Sequence, residues 1–170
     1  MSDNVLVNPI RPENIEGFHQ ALDIVARERQ YLAFFQAPSL QETKKFVLSN
    51  IENCNPHFVA IIDSQIVGWC DIRRHQITSQ AHCGTLGMGI IPEYRDRGIG
   101  FRLLKSAMVS ALETGFVRIE FGVRTDNLRA IALYEKAGFA IEGTHLNSLS
   151  IDGEYYDTVT MALVSLNINK

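Results

Sequence analysis

The 170-residue sequence has few cysteines, and they follow no recognisable pattern. Cys54, Cys70 and Cys83 lie far apart and include no Cys-x-x-Cys pair. An odd, scattered set argues against a disulfide framework and favours a reducing compartment. The five histidines show no metal-ligand spacing with one another or with the cysteines, so we expect no metal site.

Long apolar stretches and a large excess of one charge are also missing. The apolar runs are far shorter than the ~20 residues that a membrane helix needs, so we expect no membrane partner. The first eight residues lack the basic start and apolar stretch of a signal peptide, which favours a soluble, cytoplasmic protein. Sixteen Lys and Arg against nineteen Asp and Glu give a net charge of −3. This balance argues against nucleic acid as a partner.

The remaining composition is that of an ordinary globular domain. Hydrophobic residues make up 46% of the chain and charged residues 21%. A chain of this length buries roughly 70% of its unfolded surface and needs no covalent staples. We find no linker, repeat or charge run, and therefore expect one domain over residues 1–170.

Apolar periodicity predicts a strand, two helices, three strands, a helix, a strand, a helix and two strands. A polar loop is expected at 73–80, and tight hairpin turns at Asp63-Ser64 and Asp152-Gly153. Antiparallel strands followed by a strand–helix–strand crossover indicate an α/β fold: a mixed sheet of about seven strands with four helices on both faces. The expected elements are 5–10, 14–28, 39–53, 57–62, 65–72, 81–91, 98–114, 117–123, 126–137, 139–150 and 154–164.

The segment that says most about function is a glycine-rich strand followed by a basic turn. Interior glycines such as Gly87 and Gly89 usually mark a bulge or a close approach to the backbone. The next helix begins with bare N–H groups at the positive end of its dipole, and Gly98 and Gly100 leave them uncovered. Nearby arginines add charge. The pattern predicts an anion site suited to a pyrophosphate, carried by Arg95-Asp96-Arg97-Gly98-Ile99-Gly100-Phe101.

Other phosphate motifs fit this segment less well. A Walker A loop needs Gly-Lys-Ser/Thr, and the chain has Gly-Phe-Arg. A dinucleotide fingerprint needs a third glycine where Leu103 stands, and an acidic residue where the next strand ends at Arg124. An Arg-x-x-Gly-x-Gly anion site and an ordinary turn with incidental glycines both remain open.

A second motif follows the next strand. Asn127 stands at a helix start, Ala130 follows, and the helix closes with Leu-Tyr-x-Lys-x-Gly-Phe at 133–139. With both motifs at this separation, the chain resembles the GCN5-related N-acetyltransferase (GNAT) superfamily. The order of elements matches from about 59 to 164, and residues 86–139 match closely. Residues 142–144 and 152–161 are similar to the branch containing ribosomal-protein, diamine and aminoacyl N-acetyltransferases.

The resemblance implies a GNAT-like fold and a transfer of acetyl from acetyl-CoA to a primary amine. The acceptor would be a small molecule, an amino acid or a peptide N-terminus, including the ribosomal-protein type. Tyr134 takes the place of the superfamily's general acid. A homodimer is implied only at the level of the family. The implied cofactor-binding residues are Met88, Gly89, Ile90, Arg95, Asp96, Arg97, Gly98, Ile99, Gly100, Phe101 and Asn127.

The general base stays unassigned. Many relatives carry a glutamate on the glycine-rich strand, where this chain offers only Thr85, Leu86 and Met88 near the cleft. This departure keeps a second function open, a non-catalytic CoA-binding regulatory or partner-binding module. A phosphate-binding protein of another fold is a third reading. The alternative sources of a base are Asp71, His75, His82 and a water chain ending at a carbonyl or at Glu120.

The acceptor site of this fold would lie against the segment between the first two helices and against the last hairpin. Tyr31 to Phe35 and the pair Tyr155-Tyr156 make this region aromatic, which suits an apolar group next to the amine. We expect Phe34 and Phe35 to fill the core rather than line the site. The charged hairpin residues Asp152, Glu154 and Asp157 either attract a cation or are simply solvated.

Overall fold

The computed structural model describes residues 4–165, which form seven strands and four helices in the predicted order. The strands are β1 (Leu6–Pro9), β2 (His57–Ile62), β3 (Gln65–Arg74), β4 (Cys83–Ile90), β5 (Arg118–Arg124), β6 (Ala140–Ile151) and β7 (Glu154–Val164). The helices are α1 (Ile15–Arg27), α2 (Leu40–Glu52), α3 (Ile99–Glu113) and α4 (Leu128–Lys136). The predicted mixed α/β class is therefore confirmed.

The seven strands form one sheet in the order β1-β2-β3-β4-β5-β7-β6. Its neighbouring strands are antiparallel except β4 and β5, which are parallel because α3 crosses between them. Both predicted hairpin turns are present. Asp63 and Ser64 have φ of 46° and 66°, and Asp152 and Gly153 have 52° and 84°. Such paired positive φ angles match the right-handed twist of the flanking strands.

The helices cover both faces of the sheet. Helices α1 and α2 pack with Phe18, Val47 and Trp69 in one buried cluster. Helix α3 lies on the opposite face with Leu103 and Leu104 fully buried, and α4 adds Tyr134 to that cluster. Each strand near the centre is thus buried on both sides, as expected for a sheet with a crossover helix.

Predicted boundaries differ from the structure in one place that matters. Strand β3 continues to Arg74, because Arg73 and Arg74 pair with Thr85 and Gly84 of β4. The polar segment predicted at 73–80 is therefore shifted by two residues to 75–82, and β4 begins at Cys83 rather than at residue 81. The end of β3 was predicted wrongly because two consecutive charged residues, Arg73 and Arg74, are typical of a loop when the partner strand is unknown.

The glycines of β4 have a packing role that the sequence interpretation missed. A Cβ on Gly89 would lie 2.4 Å from the ring of Trp69, and one on Gly87 would lie 3.2 Å from Oδ2 of Asp71. Both neighbours project from β3 over β4 on the α1/α2 face. The bare positions thus make room for side chains of the protein itself, besides any ligand.

We expect Gly89→Ala to destabilise the fold by about 1–3 kcal/mol, the usual cost of overpacking a core. Trp69 is only 3% exposed and sits between helices, so it has little room to retreat. Gly122→Ala is the control, since nothing lies within 4 Å of its Cβ position. Urea unfolding of both variants measures this. Equal stability of the two would contradict the packing role of Gly89.

Candidate active site

A cleft opens where β4 and β5 separate. The two strands pair over three positions, from Cys83 with Arg118 to Thr85 with Glu120. Beyond these positions β5 stays paired with β7 up to Arg124, while β4 stays paired with β3. The gap between residues 86–90 and 121–124 is part of a cavity of about 680 Å³. A cleft of this size can hold a small ligand or part of a larger one.

The β4 edge of the cleft offers backbone hydrogen-bonding groups. Ile91 N–H donates to Val67 of β3 at 2.9 Å, and the His75 N–H donates to the Cys83 carbonyl at 3.0 Å. Because the polar groups of a strand point to alternate edges, odd-numbered residues of β4 face β3. The N–H groups of Met88 and Ile90 consequently face the cleft, whereas that of Gly89 faces β3.

The first turn of α3 lies at the open end of this cleft. Gly98 is the N-cap residue and adopts φ = 74°, a left-handed conformation in which other residues are strained. A Cβ there would meet nothing within 4 Å, so the space in front of the helix is open. At Gly100 close packing leaves little room for a side chain, because a Cβ would lie 3.2 Å from Leu133 and 3.3 Å from Ile90. The result is a helix N-terminus packed closely on the cleft, with its first amides lacking intrahelical acceptors.

The arginines of this turn already hold protein partners. Arg95 bonds both carboxylate oxygens of Glu28, one at 2.8 Å and the other at 2.5 Å, and donates from Nε to the Ile90 carbonyl at 2.9 Å. Its charge is thus largely compensated, and its geometry ties the end of α1 to the turn. Arg97 donates to the Glu93 carbonyl at 2.8 Å and lies over the Tyr94 ring. We expected the Arg95 charge to be available to an anion, but Glu28 already compensates it within the fold.

Helix α4 brings cations to the site that the sequence reasoning did not single out. Arg129 pairs with Asp96 at 3.0 Å, and the Lys136 ammonium lies 4.8 Å from the centre of the Phe101 ring. Both cations line the cleft. They are seven residues apart, which is two helical turns, and therefore lie on one side of α4. This spacing could have indicated from the sequence that both face the same site.

Asn127 and Tyr134 lie at opposite ends of α4. The Asn127 side chain caps the helix by accepting from Ala130 N–H at 3.2 Å, as predicted for a cap at 126 or 127. Tyr134 is 7% exposed and packs against Phe121 with the ring centres 4.2 Å apart and the planes inclined at 53°. Burial, reinforced by the Cys70 thiol, raises the pKa of its phenol above the ordinary value. The hydroxyl therefore keeps its proton at neutral pH.

The predicted site residues largely converge. Tyr134 and all of the predicted cofactor-binding residues except Arg97 line the same cavity. Arg97 instead points toward Glu93 and Tyr94 on the outer side of the turn. Residues from four separate stretches of sequence thus meet at the end of β4.

The segment between α1 and α2 forms the far wall of the cleft. Tyr31, Leu32 and Ala33 line the cavity. Phe34 is 40% exposed and Phe35 lies under the Arg29 guanidinium, so the expectation that they fill the core is wrong. The segment contains no regular helix or strand at 30–36, and such loops run over the surface of a protein rather than through its core.

Two ion pairs hold this wall. Arg29 bonds the carboxylate of Asp152 in the β6–β7 turn. Arg124 bonds Asp126 through two nitrogens, donates to the Gln30 carbonyl at 2.6 Å and lies on the Tyr156 ring. Hence neither the Asp152 carboxylate nor the Arg124 guanidinium is an unpaired charge.

The possible bases occupy three different environments. Glu120 accepts from Arg118 at 2.5 Å, and His75 bonds the Thr85 hydroxyl at 3.0 Å. These groups stand where β4 and β5 are still paired. His82 precedes β4, at the closed end of the strand pair. Asp71 lies on β3 beside Gly87 and is 5% exposed.

Over residues 4–165, we find no group of three or more His, Cys, Asp or Glu side chains placed to bind a metal ion. The same residues contain no helix of sufficient length and apolarity to cross a bilayer.

Comparisons with known proteins agree with this geometry. The model of the acetyltransferase (GNAT) family matches residues 21–139. The L-amino acid N-acetyltransferase AaaT of Escherichia coli K12 is 34% identical over 108 residues, which are 62% of this chain and 66% of that protein. Spermidine N(1)-acetyltransferase of the same strain is 26% identical over 171 residues, covering 94% of this chain and 86% of that enzyme.

The fold is also that of a solved relative. The GNAT superfamily phosphinothricin acetyltransferase from Sinorhizobium meliloti, in complex with acetyl-CoA, superimposes with a TM-score of 0.86 at 19% identity. The match covers 97% of this chain and 89% of that one. Since the family model spans more than half of the sequence and the cleft has the form described above, the chain belongs to the acetyltransferase (GNAT) family.

Proposed function

We propose that this protein is an acetyl-CoA-dependent N-acetyltransferase that moves an acetyl group from the thioester to a primary amine by direct attack. The observation that carries the proposal is the separation of β4 from β5 beside the bare N-terminus of α3, with Tyr134 in the same cavity. A non-catalytic CoA-binding module would need the cleft but would have no use for a buried, protonated phenol within it.

The cleft fits a long ligand that carries amides at one end and a diphosphate at the other. The pantetheine amides would bond the cleft-facing backbone of Met88 and Ile90, with Gly89 between them and Asn127 opposite. The diphosphate would accept from the amides of the first turn of α3, from Gly98 to Phe101. Asp96 and Arg95 would fix the shape of the turn through their ion pairs, and Arg97 would add charge from outside.

The reaction requires a neutral amine, a stabilised oxyanion and a thiolate leaving group. The Met88 N–H, which points into the gap, is our donor for the oxyanion. The leaving thiolate has a conjugate acid with a pKa near ~8.5, below that of a phenol. Tyr134 therefore gains little from complete proton transfer and acts chiefly as a hydrogen-bond donor to the departing sulfur.

The acceptor that the site fits best has one amine next to an apolar group. Val25, Tyr31, Leu32 and Leu149 line its end of the cavity. Among the described residues lining the cavity, Asp96 is the only carboxylate, and it is paired with Arg129. A polyamine would bring several cations with no carboxylate to receive them. We thus favour an apolar L-amino acid or a peptide N-terminus. L-amino acids are the acceptors named for the relative AaaT.

Release of free thiol from acetyl-CoA over a panel of L-amino acids, short peptides and spermidine tests the proposed function. Turnover is expected with apolar amino acids or peptides and not with spermidine. Binding of acetyl-CoA without turnover across the whole panel would favour the non-catalytic module. No thermal stabilisation by acetyl-CoA would contradict the assignment of the cleft to this ligand. The third expectation, a phosphate-binding protein of another fold, is already wrong because the fold and the family are those of GNAT acetyltransferases.

Gly98→Asp should weaken acetyl-CoA binding at least tenfold, because it puts a negative charge into the anion site. Gly98→Asn separates charge from shape, since Asn tolerates positive φ and is neutral. Gly115→Asp is the matched control at the other end of α3, with φ of 84° and nothing within 4 Å of its Cβ position. Calorimetric titration with acetyl-CoA gives the dissociation constants. Unchanged binding by Gly98→Asp would refute the diphosphate assignment.

Tyr134→Phe should lower kcat by roughly 10²-fold, the range typical of one lost proton donor, with acetyl-CoA affinity nearly unchanged. The ring stays in place against Phe121, so only the hydroxyl is removed. Steady-state kinetics and calorimetry on the same preparation separate the two effects. A collapse of affinity instead would make Tyr134 a structural residue.

We further propose a cytoplasmic location, as the scattered cysteines favour, and no nucleic-acid partner. Homodimer formation remains a proposal from family resemblance alone. Light scattering coupled to size-exclusion chromatography decides it, since a monomer of 19.1 kDa is readily distinguished from a dimer.

A further inference from the structure

We propose that Asp71 is the general base of the reaction, taking the proton from the acceptor amine across the bare backbone of Gly87, directly or through one water. This assignment rests on the proposed acetyl transfer. It explains how β4 can lack a carboxylate of its own, because a neighbouring strand supplies one.

The position of the carboxylate is set by the sheet. Asp71 of β3 is directly opposite Gly87 of β4, so the two share a face. Oδ2 lies 3.2 Å from the point where a Cβ of Gly87 would stand. Gly87 lines the cleft. Since Gly87 has no side chain, the carboxylate and the cleft are separated only by backbone and by the space of the missing methyl group.

The carboxylate has no strong partner within the protein. The nearest cationic atom is Nε of Arg73 at 3.7 Å, and the Arg73 guanidinium lies over the Phe46 ring of α2. Among residues 4–165 we find no hydrogen bond to either oxygen of Asp71. The side chain nevertheless keeps 7% of its surface exposed. An ionisable group held in this way is costly to the fold, and such groups concentrate at functional sites.

The surroundings of Asp71 suit a base at neutral pH. Burial raises its pKa to about 7, and the Arg73 charge acts in the opposite direction. His57 stands opposite on β2, and burial lowers its pKa to about 3, so it is neutral under physiological conditions. Helix α2 presents Phe46 and β4 presents Gly87. A base whose pKa lies near the working pH transfers protons most efficiently.

The other carboxylate considered, Glu120, is less available. It accepts from Arg118 at 2.5 Å, and Arg118 also bonds Glu142. It pairs with Thr85 at the last position where β4 and β5 remain joined, whereas Gly87 lies beyond that point.

The pKa shift also predicts an effect on stability that does not depend on activity. Because the folded-state pKa of Asp71 lies above the ordinary 3.8, the protonated carboxyl stabilises the fold. This stabilisation is complete below pH 3.8 and is lost as the pH rises through about 7. Asp71→Asn should therefore melt at a higher temperature than the wild type at pH 8, by about 2–4 °C or more. The gap should close at pH 4. Asp63→Asn, at the exposed β2–β3 turn where Asn tolerates φ of 46°, should show neither effect.

The activity test uses kcat/KM from pH 5.5 to 9 with the best amine from the panel. In the Asp71→Asn variant, kcat/KM should fall about 10²–10⁴-fold, and its pH profile should lack the limb that titrates near pH 7. The affinity for acetyl-CoA should stay within twofold. Asp63→Asn should match the wild type. Gly87→Ala, which places a methyl group between the carboxylate and the cleft, should also slow turnover and covers the case in which Asp71→Asn does not fold.

The outcomes separate the two proposals. Full activity and an unchanged limb in Asp71→Asn, or loss of the limb in Glu120→Gln instead, would overturn the role of Asp71 alone. An absence of turnover by the wild type with every amine would overturn the acetyl transfer and the assignment of Asp71 with it.

Discussion

The separation of two parallel strands after three paired positions is the constraint on which the rest of the site depends. Once β4 leaves β5 beyond Thr85, the backbone groups of Met88 and the N–H of Ile90 lose their sheet partners, while the Ile90 carbonyl accepts from Arg95. Backbone groups away from water need new partners, so the gap is suited to a ligand that carries amides. The crossover from β4 to β5 then starts α3 at the same end of the gap, which brings a helix N-terminus beside it.

The charged groups around this gap are mostly paired before any ligand binds. The pairs Arg95–Glu28 and Arg29–Asp152 join two turns to the segment between α1 and α2. Arg124, paired with Asp126, also donates to the Gln30 carbonyl of that segment. Their contribution is geometric, because a paired guanidinium fixes a loop but offers little net charge. The positive potential at this end of the gap is left to the α3 amides and to Lys136 of α4, because Arg129 is paired with Asp96. Asp71 is the exception on the acidic side, buried and only weakly paired.

The sequence was informative where structure is local. Helix caps, the two hairpin turns with positive φ, and the strand–turn–helix motif at 86–101 each depend on residues close together in the chain. The convergence of Tyr134 with the α3 turn followed from the family resemblance and not from periodicity. Contacts between distant residues were not predictable. Glu28 and Arg95 are 67 positions apart, and nothing near either residue identifies its partner.

The glycines of β4 show most clearly what local sequence patterns cannot predict. Their number marked the strand as unusual, but only the β3 register reveals that Gly89 makes room for Trp69 and Gly87 for Asp71. The sequence by itself determined the element order, the family and the position of the glycine-rich turn before α3, because these depend on short-range patterns. The tertiary structure alone decided which carboxylate is buried beside the bare Gly87 and which arginines are already paired. Those properties follow from strand register and burial, which depend on residues far apart in the chain.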